Sequence, residues 1–253
     1  MKQLIALLLA LSMLFVFAGC DKEPEVTDPE VTDPVEETLP EGVMTHEEFI
    51  AAELNTEVTV HTYVQAYQSW WDGAMRIYAQ SKDGGYFLFD VPCTEDEAAK
   101  LVPGTKIEVT GYKVEWEGLV EIDKPSYKIL EGTWTAEATD VTALMGTEEL
   151  AKHMNELVAV KGLTVAASKD ADGNEVPFLY KWDGSGKQGD DIYFNVTIGE
   201  NTFTFTVESY MVGNEATYAA VEALKVGDKI DVEGFLYWYS GAQPHVTKVT
   251  PAA

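Results

Sequence analysis

The alternation of apolar and polar positions divides most of the chain beyond residue 43 into short strands. Val58, Val60 and Thr62 alternate with Glu57, Thr59 and His61, the period-two pattern of a strand with one buried face. That strand runs to about Gln68 and turns at Trp70-Trp71-Asp72-Gly73. A hairpin over 74–80 and 86–91 follows, around Lys82-Asp-Gly-Gly85, whose glycines are expected to supply the positive φ of a tight turn. Two capping boxes mark short helices. Thr45-His-Glu-Glu48 opens one whose apolar side is Phe49, Ile50 and Leu54; Thr94-Glu-Asp-Glu97 opens another that ends near Leu101, before Pro103-Gly104. Ile107 and Val109 begin a strand that reaches Trp116, and Glu117-Gly118 turns it into a last strand over 119–123.

The second half repeats this order. Val158 and Val160 match Val58 and Val60 at an offset of 100. Ile192, Phe194, Val196 and Ile198 alternate with Tyr193, Asn195 and Thr197, and Phe203, Phe205 and Val207 alternate with threonines beyond a Gly199-Glu-Asn201 turn. A helix over about 214–224 stops at Val226-Gly227. Lys229-Ile-Asp-Val-Glu-Gly234 then parallels Lys106-Ile-Glu-Val-Thr-Gly111 at an offset of 123, so the second copy holds about 23 extra residues, near 169–191.

Three strands, a helix and two strands is the order of the OB-fold. Leu101-Val-Pro-Gly-Thr-Lys-Ile-Glu-Val-Thr-Gly111 and Leu224-Lys-Val-Gly-Asp-Lys-Ile-Asp-Val-Glu-Gly234 resemble the helix-to-fourth-strand passage of bacterial OB domains. The resemblance implies a mainly β chain of two tandem five-stranded OB-fold-like barrels, each with a short helix between strands 3 and 4. They would span 43–130 and 131–253, with each closing glycine where a strand bends hard to shut the barrel.

The N-terminus has another character. After Lys2, Leu4 to Ala18 is apolar apart from Ser12, a run short of a membrane span. It ends in Phe17-Ala18-Gly19-Cys20, which resembles the lipobox of bacterial lipoproteins, with Phe17 where Leu is usual. The resemblance implies a signal peptide over 1–19 and a mature N-terminus at Cys20 acylated with palmitate-like chains. The protein would then be held on the extracytoplasmic face of the cell membrane. Residues 20–42 read as a tether: Glu25-Val-Thr-Asp-Pro29 is repeated as Glu30-Val-Thr-Asp-Pro34, and nine acidic residues face Lys22 alone. Prolines and like charges keep such a segment extended.

The formal net charge is −26, and no part of the chain is basic. Charge of this sign predicts a soluble monomer that repels nucleic acid and anionic headgroups. Cys93 is the one cysteine besides Cys20, so no disulfide is available to the folded part. His46, His61, His153 and His245 show no metal-ligand spacing. Gly184-Ser-Gly-Lys187 fails as a phosphate loop because Lys181 and Gln188 stand where glycine and a hydroxyl residue are required. Neither a nucleophile elbow nor a zinc-protease motif occurs, so no enzyme and no cofactor are expected. Asp170, Asp172 and Asn174 offer calcium-type oxygens, but the glycine of that segment comes fourth instead of sixth, as in an ordinary Asp-Gly turn.

Aromatic residues are the remaining signal. Tyr67, Trp70 and Trp71 cluster at the turn after the first strand, and Trp116 lies at the last turn of the first copy. Tyr237, Trp238 and Tyr239 occupy the matching late turn of the second copy, and Trp182 falls in its insertion. In OB barrels those loops and the face between them bind ligands. Flat rings beside carboxylates suit a neutral glycan, a cationic peptide or a protein partner, and Arg76 is the only arginine. The same rings also suit packing at barrel ends. The expected function is a surface-anchored, non-enzymatic binding module; the alternative is a hydrolase, or an accessory domain of one, using exposed carboxylates.

Overall fold

The computed structural model describes residues 39–252. The signal segment, Cys20 and the tether up to residue 38 lie outside the described residues. Helix α1 (His46–Ala51) starts as its capping box requires: the Thr45 hydroxyl accepts from the Glu48 N–H at 3.2 Å, and Glu48 returns to the Thr45 N–H at 2.8 Å. Strands β1 (Glu57–Tyr67), β2 (Ala74–Ser81) and β3 (Gly84–Pro92) follow, then α2 (Glu95–Ala98), β4 (Thr105–Trp116) and β5 (Leu119–Thr133). They close as a barrel in the order β1-β2-β3-β5-β4, with β3 and β5 parallel. The inward positions, among them Val58, Val60, Ile77, Leu88, Leu101, Ile107 and Ile122, are fully buried beneath Phe49. Each such side chain contributes roughly 1.5–3 kcal/mol on burial, so the interior holds without a disulfide. Cys93 is a free thiol in the same core.

The second barrel is built from β7 (Leu157–Ala166), β11 (Ile192–Ile198), β12 (Asn201–Val207), β13 (Lys229–Phe235) and β14 (His245–Pro251). Helix α3 (Glu215–Glu222) sits between its third and fourth strands, and pairing of β11 with β7 closes the ring. A short strand, β6 (Thr139–Asp140), flanks β7. The extra residues of this copy form β8 (Ser168–Lys169), β9 (Glu175–Val176) and β10 (Leu179–Tyr180), an arm laid between the first and second barrel strands. The duplication holds pair by pair: Val58 lies opposite Gly111 and Val60 opposite Val109, while Val158 lies opposite Gly234 and Val160 opposite Val232.

Gly111 and Gly234 fall at register shifts in the pairing of their strands with β5 and β14. A Cβ on Gly234 would meet the His245 carbonyl oxygen at 2.4 Å, so the bent strand needs glycine for close approach. The glycines of the β2–β3 hairpin act differently from expectation. Ser81 pairs with Gly84, so Lys82 and Asp83 make the turn, and neither Gly84 nor Gly85 has a positive φ. They are there for room: a Cβ on Gly85 would lie 2.3 Å from the Asn155 backbone of the second barrel.

That approach belongs to a seam joining the barrels. Tyr78, Phe87 and Leu119 of the first pack with Met211 and Phe235 of the second in a buried apolar cluster, edged by Met154, Leu157, Tyr237 and Trp238. Main-chain bonds stitch its margins, from Ser69 N–H to Tyr210 O at 2.8 Å and from Ser240 N–H to Glu117 O at 2.7 Å.

Candidate functional site

Tyr78 on β2 and Phe87 on β3 point out of the first barrel, so the seam uses the outer face of that barrel's second and third strands. The face on which an OB barrel ordinarily takes ligands is there covered by the second barrel. A polar network is sealed inside the seam. The Tyr78 hydroxyl donates to Glu208 Oε2 at 2.8 Å, and His245 Nδ1 lies 2.5 Å from that hydroxyl and 3.3 Å from Glu208 Oε1. Gln68 donates to Glu208 Oε1 at 2.6 Å. Burial opposes the Glu208 charge, but His245, Tyr78 and Gln68 together hold its carboxyl below the ordinary glutamate range. Burial and Glu208 push the Tyr78 phenol well above its usual value, so it stays a donor.

The equivalent face of the second barrel is open. On β11, Ile192, Phe194 and Val196 fill the core, which turns Tyr193 and Asn195 outward; on β12 the same alternation turns Thr204 outward. These three, with Ser168, Lys169, Leu179, Trp182 and Gln243, line a cleft of about 320 Å³. Its floor is internally bonded: Thr204 Oγ1 donates to Asn195 Oδ1 at 2.8 Å, and Asn195 Nδ2 donates to Ser168 Oγ at 3.2 Å. Burial, then Asp191, Glu208 and Tyr239, push the Tyr193 phenol up to about 12, so it remains a neutral donor. Lys169 is the one charged residue among those lining the cleft.

Trp182 stands at the cleft with 69% of its surface exposed, and its position is fixed from below. Asp183 accepts from the Ser185 N–H at 3.1 Å and closes the turn that presents the ring. Tyr180, two residues earlier, donates to Glu222 of α3 at 2.6 Å, and the Tyr218 hydroxyl donates to the Asp190 carbonyl at 2.7 Å. The insertion is thus pinned to the barrel's helix at both limbs.

The aromatic residues picked out from sequence separate into three settings. Trp182 lines the cleft, while Tyr239 is exposed and is not among the residues that line it. Tyr237 and Trp238 pack into the seam: Tyr237 stacks on His245 at 4.0 Å between ring centroids, and the Trp238 indole occupies the space above Gly118. Tyr67, Trp70, Trp71 and Trp116 remain on the first barrel. Tyr67 is half-buried against its core, Trp70 donates to the Cys93 carbonyl at 2.9 Å, and Trp71 and Trp116 are exposed. Tyr193, Asn195, Thr204, Ser168 and Gln243 were not singled out by sequence, although the alternation along β11 and β12 already turns the first three outward. The Asp170 segment forms the β8–β9 hairpin: Asp170 Oδ1 accepts from the Asn174 N–H at 2.8 Å and the Asp172 N–H at 3.0 Å. The Asn174 side-chain amide, donating to Asp170 Oδ2 at 3.1 Å, and then these N–H groups hold its carboxyl below the usual range. Among the described residues no three His, Cys, Asp or Glu side chains are grouped to hold a metal ion.

No protein-family model matches the chain, and no curated protein sequence matches it. Similar solved structures include the tetrameric p202 HIN2, 10% identical over 79% of this chain and 96% of that one, with a TM-score of 0.31. A murine DNA binding protein bound to double-stranded DNA is 14% identical over 77% and 96% of the two chains, TM-score 0.34. The single-stranded DNA binding protein from Thermus aquaticus is 11% identical over 80% and 95%, TM-score 0.26. The exclusion of nucleic acid read from net charge is corrected on this finding, since two of these relatives in shape are DNA-binding proteins. Net charge sums over the whole surface and sets the far field; it does not fix the chemistry of one face.

Proposed function

We propose that this chain is a lipid-anchored binding module whose second barrel takes a neutral, hydroxyl-rich ligand, a glycan, in the cleft under Trp182. The observation behind this reading is the combination at one open face of an exposed indole with a row of amides and hydroxyls, Asn195, Thr204, Ser168 and Gln243. An indole face covers the apolar side of a sugar ring while amides and hydroxyls exchange hydrogen bonds with its hydroxyls. The cleft's lining includes no carboxylate, which disfavours the hydrolase alternative. Anchoring at Cys20 would present this face outside the cell at the end of an extended acidic tether.

The test is a titration of the purified chain with neutral oligosaccharides and with single-stranded oligonucleotides, each against Trp182→Ala. Glycan binding should be nearly indifferent to salt and weaken about five-fold in the variant, for the loss of about 1 kcal/mol of stacking. Absence of glycan binding overturns the reading. So does oligonucleotide binding at the same cleft that falls steeply with salt.

A further inference from the structure

The seam also builds a surface that neither barrel has alone. Trp71 N–H donates to the Ala74 carbonyl at 3.0 Å, and Ala74 N–H returns to Trp71 O at 3.1 Å. This closes a two-residue turn with Asp72 at φ 48° and Gly73 at φ 85°, both in the left-handed region that suits a tight hairpin. Trp70 is tied down by its indole bond to Cys93. Just before this turn the second barrel joins: Ser69 N–H donates to Tyr210 O, and Val212 N–H donates to Tyr67 O at 3.1 Å. Rings from two barrels are therefore mounted on one short paired segment. Trp71 is 82% exposed and Tyr210 64% exposed. Beside them runs a groove of about 220 Å³ between the barrels, lined in part by Ala66, Ala136, Met211 and Val212.

Rings this exposed on so constrained a backbone give nothing to the core and lose little entropy when covered, which is the profile of a binding anchor. Acidic residues flank them. Asp72 lies in the turn itself, and Cys93, which holds Trp70, leads directly into the acidic first turn of α2, Glu95, Asp96 and Glu97. Arg76, the chain's only arginine, is bonded to Asp90 at 3.2 Å and lies over the Phe89 ring.

We infer that this composite surface docks a cationic peptide segment of a partner protein. Its Lys or Arg side chains lie over Trp71 and Tyr210, and a small apolar side chain enters the groove at Val212. The site is separate from the glycan cleft, since none of its residues lines that cleft.

The probe is a fluorescently labelled peptide of alternating glycine and arginine, titrated by anisotropy against the full chain. A glycine–glutamine peptide of equal length and a single-stranded oligonucleotide run in parallel. The arginine peptide should bind and weaken as salt rises from about 0.05 to about 0.5 M. Trp71→Ala and Tyr210→Ala should each weaken it about five-fold, and Trp71→Phe should restore most of the loss. Both alanine variants keep the formal charge, so diffuse attraction to an acidic protein would survive them unchanged. Unaltered affinity in either alanine variant overturns the inference, as does equal binding of the neutral peptide or preference for the oligonucleotide. A Trp182→Ala chain that still binds the peptide keeps this result apart from the fate of the glycan reading.

Discussion

Tyr78→Phe removes one oxygen atom from the middle of the seam and leaves almost everything else in place. The ring keeps its stack on Phe235, 4.6 Å between centroids at 21°, and its contact with Phe87. The lost hydroxyl, however, bridges Glu208 and His245 in a site closed to water. A hydrogen bond to a charged group contributes about 1.5–3 kcal/mol, so a loss of about 2 kcal/mol is expected. With a urea slope of about 2–3 kcal/mol per molar for a unit of this size, the unfolding midpoint should fall by about 0.7–1 M. Tryptophan fluorescence and far-ultraviolet circular dichroism would follow it. The sign of the pH dependence adds a second condition. The Glu208 carboxyl lies below its ordinary value of 4.5 in the folded chain, so its stabilisation is present above that value and lost as pH falls through the lower folded one. The cost of Tyr78→Phe should therefore shrink in acid, as the Glu208 carboxyl takes up its proton, toward the ~1 kcal/mol of a neutral hydrogen bond. A midpoint shift under about 0.2 M at neutral pH, or a cost that does not shrink in acid, would refute the reasoning.

Two further outcomes can be checked. Glu121, buried on β5, is pushed up to about 7 by burial, with Asp123 and Asp90 adding and Arg76 opposing, so its stability contribution is present below 4.5 and lost as pH rises through 7. Glu121→Gln should raise the thermal midpoint at pH 8 and flatten the decline between pH 5 and 8, worth on the order of 2 kcal/mol; parallel pH profiles for the two proteins would count against it. Cys20→Ser should abolish uptake of labelled fatty acid and release the chain from the membrane fraction, and equal labelling of the variant would dispose of the anchor.

The fold was legible in the sequence because alternation and capping are local. Val58, Val60, Ile192 and Phe194 announce their faces within a few residues, and Thr45 and Thr94 announce helix starts through glutamates three positions on. The duplication was legible for the same reason, as a constant offset between two strand motifs. The site was less so. Nothing near Tyr78 says that its hydroxyl will meet a histidine 167 positions later, and His245 reads in sequence as one of four scattered imidazoles. Tyr237, Trp238 and Tyr239 look equivalent as a run, yet the first two are drawn into the seam and the third stays exposed. That division depends on where Gly118 and Glu117 of the other barrel come to rest, which no local pattern encodes. The hairpin glycines show the same limit: Gly84 and Gly85 read as turn residues, but Gly85 answers to the Asn155 backbone.

The duplication and the seam together explain why the two copies diverge in the way they do. Two identical barrels would each expose a second-and-third-strand face, and packing one face against the other copy spends one of them. The first copy has aromatic and apolar residues there, Tyr78, Phe87 and Phe89, suited to a dry contact. The second copy has Tyr193, Asn195 and Thr204 at the corresponding strands, suited to water or a polar ligand. The insertion appears only in the second copy, between its first and second strands, where it lines the cleft and presents Trp182 at it. In the first copy the corresponding turn is the short Trp71–Ala74 hairpin, and the strand leading into it, at 67–69, is paired with the 210–212 segment of the second barrel. The two copies therefore do different work with the same face: the first uses it for the dry contact, and the second keeps it polar, beside the extra chain that carries Trp182.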